Sequence, residues 1–406
     1  MDDHILDNVS FSDSFCAEHL SQSRWDTVVI GAGVAGTSFA IRAARQHRNV
    51  LLVDSAPFPR DKVCGGCLNA RAQRELSELG LLEDLHRRGA VTIGTMKIRI
   101  GRQDVSWRIP DMLSVRRSTL DAMLAHKAMK HGASFYHSVR ASLIPCLPPS
   151  SEGTRKVLLK HEKTNESVVV SADFVVVAAG LSRSPLPREE SWSCHTEADS
   201  RIGVHCLISR DSLSSLDMEL GCDDHQTLLM CVGEHGYVGI CETDGNRIDI
   251  AAAIDPKAIR RVGSISKVVA QIVRPQSHRL AQCLEQQTWH ATPKLTRFSF
   301  DLARNRVFLL GDATGYVEPF TGEGMSWAML AAKKLWEITQ SIQTPEPSDC
   351  QERDWNLWNQ QQCKTKRSVS RWVSRRARNT QSAKWVITAL DWFPAFRNRI
   401  IMKATQ

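Results

Sequence analysis

Three glycines and two carboxylates are the residues of this chain best spaced to do chemistry. Gly31, Gly33 and Gly36 stand in G-x-G-x-x-G spacing directly after the β-branched run Val28, Val29 and Ile30. Such a run suits a strand buried on both faces of a parallel sheet. The first glycine permits a tight turn, the second lets a pyrophosphate approach the backbone, and the third lets helix and strand pack closely. Val34 and Ala35 lie in the turn that leads into a helix read over Thr37 to Ala44, so they are expected beside the phosphates. The helix N-terminus offers them free N–H groups and a partial positive charge. Asp54 follows Gly36 by 18 residues, at the end of the apolar strand Val50 to Val53. An acid there suits the free adenosine ribose of FAD or NAD and repels a 2′-phosphate. A glycine-rich turn without a ligand is the bland alternative. Strand, glycines, helix, strand and acid in that order argue against it.

The second carboxylate is Asp312, in Gly311-Asp312-Ala313-Thr314-Gly315 after the apolar strand Arg306 to Leu310. It suits a ribityl hydroxyl of a flavin. Gly322 and Gly324 then open a helix whose apolar stripe is Met325, Ala328, Met329, Ala332, Leu335 and Trp336, at a period near 3.6. That N-terminus, aimed at the flavin N1–C2=O edge, would stabilise the charge that appears on reduction. Pro319 caps the loop expected beside the isoalloxazine ring. An ordinary strand, loop and helix with a structural aspartate is the alternative.

A tight cysteine pair, Cys64-Gly65-Gly66-Cys67, lies between these motifs. Zinc would need two further ligands, and no second C-x-x-C or H-x-x-x-H supplies them, so no metal is expected. A redox dithiol and a glycine turn near a ligand both stay open. The other cysteines of the 12 are scattered. No basic segment followed by an apolar core marks the N-terminus as a secretory signal, so reduced thiols in a cytoplasmic protein are expected.

The elements around these motifs imply an α/β fold. Its 406 residues allow two or three domains, and 42% hydrophobic with 24% charged residues is ordinary for a globular chain. No apolar run approaches the ~18 residues that span a bilayer. Parallel-type buried strands recur at Asp173 to Ala179 and Arg306 to Leu310. Alternating strands fill Val91 to Ile109 and Arg201 to about Ile254, with turns at Gly221, Glu234-His235-Gly236 and Asp244-Gly245-Asn246. The expected architecture is a discontinuous, Rossmann-like dinucleotide domain with a parallel sheet (25–90, 111–190 and 300–345). Into it is inserted a mainly antiparallel substrate domain (91–110 and 191–299). Residues 1–24 are read as a loosely ordered extension, Ala70 to Arg88 as one helix, and 346–406 as a C-terminal helical segment.

These residues resemble the FAD-dependent oxidoreductases with the p-hydroxybenzoate hydroxylase fold, and among them most the geranylgeranyl reductase family. The likeness spans about residues 25 to 345. It rests on the two glycine motifs with Asp54 and on Pro59-Arg60-Asp61-Lys62-Val63-Cys64-Gly65-Gly66. It rests also on Arg117-x-x-Leu120-Asp121 and on Gly311-Asp312-Ala313-x-Gly315 with Pro319-x-x-Gly322-x-Gly324. The resemblance implies FAD as cofactor, Arg117 near its phosphates, Asp312 near the ribityl chain, and Cys64 and Gly65 close to the ring; Arg60 and Met325 are expected among the cofactor-binding residues. Cys64 is the candidate catalytic residue. Three departures are visible. Ala179-Gly180 replaces the family's Asp-Gly. The prenyl reductases' Tyr-x-Trp-x-Phe-Pro is absent, its nearest match being Tyr237-Val238-Gly239-Ile240-Cys241-Glu242. The halogenases' Trp-x-Trp-x-Ile-Pro is absent too.

In such a protein the cofactor carries the redox chemistry while the chain orients the substrate. One reaction is hydride transfer from flavin N5 to a C=C bond of a lipophilic, prenyl-like or polyketide-like substrate. The alternatives are hydroxylation of an aromatic or quinol-like ring, and FAD binding without turnover. The electron donor would be NAD(P)H or a reduced carrier protein, since no second dinucleotide fingerprint occurs. His205, His235 and Tyr237 read as packing or surface residues.

The net charge of +8 is a property of the tail. From Cys363 to Gln406 eleven Lys and Arg face Asp391 alone. The basic run Lys364 to Arg378 is interleaved with or followed by Trp372, Trp385, Trp392, Phe393 and Phe396, a pattern that suits peripheral contact with an anionic bilayer. Packing of the same aromatics against the protein is the alternative. Nothing else in the chain supports nucleic-acid binding.

Overall fold

The computed structural model of the chain describes residues 11, 15–101, 103–146, 153–182, 184–190, 192–212, 226–318, 322–342, 348–376 and 380–392, with side chains for all of these except 363–382, 386 and 389. Two large sheets divide the molecule. The first runs in the order Ala303–Arg304, Val307–Leu309, Ser167–Val177, Trp25–Ile30, Val50–Val53 and Ser134–Tyr136. From Val307–Leu309 to Ser134–Tyr136 its pairings are parallel. Val28, Val29, Ile30, Val50–Val53 and the half of Ser167–Val177 from Ala172 on are buried, which is why they are nearly continuous apolar residues. The helices Val34–Arg45, Arg117–Lys130 and Gly324–Thr339 pack against one another and the sheet around Phe39, Leu124 and Met329.

The second sheet runs His290–Lys294, Ile202–Ser209, Arg247–Ile254, Gly236–Thr243, Thr227–Gly233, Val91–Ile100, Gln103–Ser114 and Cys67–Leu68. It is antiparallel except where Thr227–Gly233 pairs parallel with Val91–Ile100. Alternation along its strands sorts two faces. Val204, Cys206, Val238, Ile240, Ile250 and Ile254 pack beneath the helices Ile265–Val273 and His278–Glu285. Gly203, Met230, Tyr237, Gly239, Cys241, Asp249 and Ala251 face the first sheet's domain. So one face is a core and the other is the wall of a cavity.

Several sequence expectations shift. The helix expected from Thr37 begins at Val34, with Gly33 as its N-cap. The single helix expected over Ala70 to Arg88 is two, Ala70–Glu78 and Leu82–Arg87, because Gly80 at φ +67° breaks the helical path. The extension expected to be loosely ordered carries the helix Ala17–Gln22. Leu20 there is fully buried, and the Trp25 indole N–H donates to its carbonyl. Phe11 sits edge-on to Phe58 and Phe135, and Phe15 stacks on His161. Aromatic burial thus ties down a segment whose composition is polar. The turn expected at Gly221 lies outside the described residues.

The C-terminal segment forms Asp349–Arg376 and Thr380–Trp392. The first of these helices buttresses the strand that leads to Asp312. Trp355, fully buried, donates its indole N–H to Leu309 O at 3.0 Å, and the Asn356 amide pairs with the backbone of Leu302 and Ala303. The second lies on the substrate sheet. There Ala383 and Ile387 are buried with Ile98, Trp107 and Met230, and the Trp107 indole N–H donates to Asp391. Among the described residues no helix is long and apolar enough to cross a membrane.

Candidate functional site

A glycine after the first strand, Gly31, and the helix-capping glycine two positions on, Gly33, create the site's first feature. Gly33 is extended, caps the helix Val34–Arg45, and faces open space bounded by three cations. A Cβ built there would lie 3.7 Å from Arg60, 3.7 Å from Arg117 and 3.9 Å from Lys62. The free N–H groups of the helix and three cations therefore converge on one spot, which is an anion cradle. Burial lowers the Lys62 ammonium below its ordinary value, and the neighbouring Arg117 adds to this. Burial also opposes the Arg117 charge, but Asp121 and then Cys64 more than offset it, so that guanidinium stays protonated. Arg117 is clamped by Asp121 at 2.7 Å, and Arg60 bridges Asp121 and Asp54, each at 3.2 Å.

Asp54 takes N–H donors from Ala32 at 2.8 Å and Ala56 at 2.9 Å, which fix its carboxylate at the strand end beside the cradle. Gly31, Gly36 and Gly311 serve another purpose. A Cβ on Gly31 would overlap the Ala178 carbonyl, one on Gly36 the Gly31 carbonyl, and one on Gly311 the Ala35 side chain. They permit close approach of backbones rather than touching the cavity.

From the cradle a cavity of about 430 Å³ extends between the two sheets. It brings together Gly33, Val34, Ala35, Cys64, Gly65, Arg117, Asp312, Gly322, Gly324 and Met325 of the expected site. Gly324 starts the helix Gly324–Thr339, so that N-terminus also opens on the cavity. Asp54 and Arg60 stand just behind it, and Pro319 lies outside the described residues. The opposite wall is largely apolar, with Met96, Met112, Leu228, Met230 and Leu295. Its polar exceptions include Tyr237, Tyr316, Cys241, Asp249 and Thr292. Burial pushes both phenols well above their ordinary values, with Glu318 adding at Tyr237 and Asp312 adding at Tyr316. Both stay neutral hydroxyls. The buried Glu318 pairs with Arg201 at 2.9 Å behind them.

The Cys67 sulfur lies 4.0 Å from that of Cys241, and Cys64 lies by Arg117. Among the described residues no cluster of three His, Cys, Asp or Glu could hold a metal. Sequence reasoning missed Lys62, although it sat inside a quoted motif, because a lone lysine in a loop has no positional signature. It missed Tyr237 and Asp249 as lining groups because only the sheet register brings their faces inward. His235 is indeed at the surface, against Arg261.

The arrangement fits FAD. Gly33 with its three cations and the helix N-terminus would hold the pyrophosphate, Asp54 the adenosine ribose, and Asp312 the ribityl chain. The loop Cys64–Gly66 and the N-terminus at Gly324 would flank the ring. The comparisons agree. The model of the family described as FAD binding domain matches residues 24–344. The menaquinone reductase of Mycobacterium tuberculosis (strain H37Rv) is 28% identical over 341 residues, covering 78% of this chain and 76% of that one. The digeranylgeranylglycerophospholipid reductase of Sulfolobus acidocaldarius is 25% identical over 170 residues, 41% of this chain and 36% of that one. Among solved structures, PqsL of P. aeruginosa superposes with a TM-score of 0.70 at 14% identity, covering 89% of this chain and 98% of that one, which shows the shared fold.

Lys62 gives the sharpest test of the cradle. Lys62→Met should weaken FAD binding by about 1.5 to 3 kcal/mol, the usual worth of a hydrogen bond to a charged group. Flavin fluorescence titration would then show a Kd raised roughly tenfold to a hundredfold. An unchanged Kd would remove Lys62 from the cofactor site.

Proposed function

This chain belongs to the FAD binding domain family, whose members are FAD-dependent oxidoreductases and monooxygenases, and from that premise we propose that it reduces C=C bonds of a lipophilic, prenyl-like substrate. The single observation that carries the reading is the wall facing the cradle. Met96, Met112, Leu228, Met230 and Leu295 make a flexible, apolar surface directly continuous with the anion site. Methionine suits a chain of variable shape. The similarity to the two reductases supports the same reading.

The bound flavin would supply hydride chemistry. The chain's own residues do the remainder. Arg60, Lys62 and Arg117 neutralise the phosphates and fix the cofactor's position. The helix N-terminus at Gly324 stabilises negative charge on the cofactor. The apolar wall excludes water and aligns an isoprenoid segment. Tyr237 and Tyr316 offer neutral hydroxyls at the border between the two regions. The electron donor is either NAD(P)H or a reduced carrier protein.

The C-terminal helix supports a peripheral contact with an anionic bilayer as the route of substrate entry. Ala383 and Ile387 fasten it to the wall's outer neighbours, while Trp385 is 74% and Trp392 is 78% exposed. Seven residues apart, these two indoles share one helix face. In the sequence they follow the basic run Lys364 to Arg378, whose side chains lie outside the described residues. In flotation, FAD-loaded protein should rise with anionic vesicles and stay down with neutral ones. Trp385→Ala with Trp392→Ala should weaken the rise. Sedimentation of the wild type with anionic vesicles would end this proposal.

The reaction is tested by reducing the FAD-loaded enzyme anaerobically and mixing it with menaquinone bearing a geranylgeranyl chain. The expected result is flavin reoxidation without oxygen and, after air oxidation of the ring, a product that retains two extra hydrogens in its side chain. Reoxidation only by oxygen, with a hydroxylated product, would replace the reductase reading with a monooxygenase.

A further inference from the structure

A reductase of isolated alkenes needs an acid as well as a hydride, and Cys64 is not the group best placed to be one. Beside it, on the substrate sheet, Asp249 lines the cavity while being only 3% exposed. Its Oδ2 lies 3.3 Å from His205 Nε2, across neighbouring strands. Its Oδ1 and the His205 Nδ1 have no hydrogen-bond partner among the described residues. An unsatisfied, buried carboxylate oxygen is costly, and a cavity ligand or a proton on that oxygen relieves the cost. A Cβ on Gly66 would come within 3.3 Å of Oδ2, so the glycine of the Cys64–Cys67 loop is what leaves Asp249 room beside the expected ring position.

We propose that Asp249 is the proton donor of this cavity and that His205 is its positioning residue. His205 would carry its proton on Nε2 and donate it to Oδ2, leaving Oδ1 to hold the transferable proton. The identity of the acceptor rests on the reductase reading above. One alkene carbon receives hydride, and with it two electrons, from the reduced flavin. The other takes the Asp249 proton. The π bond, the Oδ1–H bond and the N–H bond of the hydride donor break, and two C–H bonds form. The electron pair of the O–H bond stays on the carboxylate, which the His205 N–H stabilises until a solvent proton restores the acid.

The surroundings favour this assignment. Burial raises the Asp249 carboxyl above its ordinary range, Asp244 and Asp61 add to this, and the hydrogen bond from His205 partly opposes it. The groups beside it on the cavity face are thiols, Cys241 directly across the strand pair and Cys67. The Cys241 sulfur and burial push the Cys67 thiol well above its ordinary value, which makes it a poorer proton donor near neutral pH than a neutral carboxyl.

The test uses FAD-loaded wild type, Asp249→Asn, His205→Leu and His205→Gln. Infrared spectroscopy at neutral pH should show the carbonyl stretch of a protonated buried carboxyl, shifted in D2O and missing from Asp249→Asn. That readout needs no substrate. Asp249→Asn should keep FAD and its reduction by dithionite, while anaerobic formation of the side-chain dihydro product from the geranylgeranyl menaquinone falls about a hundredfold or more. Removing the stabiliser of the carboxylate should move the alkaline limb of the pH profile upward in His205→Leu, and His205→Gln should restore it in part. Absence of the carboxyl band, or wild-type formation of the side-chain dihydro product by Asp249→Asn, overturns the proposal. A wild type that shows the band but is inert to the probe contradicts the reductase reading while supporting Asp249 as the cavity's acid.

Discussion

Everything in this molecule depends on how closely three backbones meet at Gly31, Gly36 and Ala178. The first strand, the helix it feeds and the strand Ser167–Val177 come together so tightly that a methyl group on either glycine would overlap a carbonyl oxygen. Because of that contact, the N-terminus of the helix Val34–Arg45 emerges at the carboxyl ends of the parallel strands. The ends that carry Asp54 and Asp312 arrive at the same edge. Parallel order alone puts them there, since every crossover returns its chain to the same end of the sheet. Larger residues at Gly31 or Gly36 would separate the layers and so disperse the cofactor contacts, even though neither glycine lines the cavity.

Electrostatics then explains the loop 57–67. Three cations gathered around one extended glycine would repel each other if left bare. Asp121 and Asp54 balance Arg117 and Arg60, while among the described residues Lys62 has no side-chain pairing of comparable closeness and is held below its ordinary pKa by burial. The chain thus keeps an unsatisfied positive charge where a pyrophosphate would enter. Binding of an anion would offset the desolvation that Lys62 now bears. The same loop ends in Cys67–Leu68, an edge strand of the substrate sheet, so one segment links the cofactor's phosphates to the cavity wall.

Much of this was legible in the sequence. Gly33, Asp54 and Asp312 announce themselves because turn and helix chemistry constrain residue type at fixed spacing. The buried strands are legible because parallel strands are apolar on both faces. The division into a parallel and an antiparallel sheet follows from that same contrast in pattern. What was not legible depends on contacts between distant segments. The two-faced sheet puts Tyr237, Cys241 and Asp249 inward only because Gly236–Thr243 and Arg247–Ile254 pair in one register. A shift of one residue would exchange them for Val238, Ile240 and Ile250. The ordering of the N-terminal segment depends on Phe11 and Phe15 finding aromatic partners more than 40 positions away or further. The break at Gly80 is local but was masked by a continuous leucine stripe.

The central claim is that one continuous cavity holds the flavin at one end and a lipophilic chain at the other. Its most direct test is the absorption spectrum of the bound, oxidised flavin while geranylgeranyl menaquinone is titrated into FAD-loaded protein, compared with Met230→Trp, which fills the apolar wall. The account predicts a saturable shift of the flavin bands in the wild type, and its loss in Met230→Trp with FAD affinity unchanged. A wild type whose flavin bands do not respond, or a Met230→Trp protein that responds as the wild type does, would contradict it.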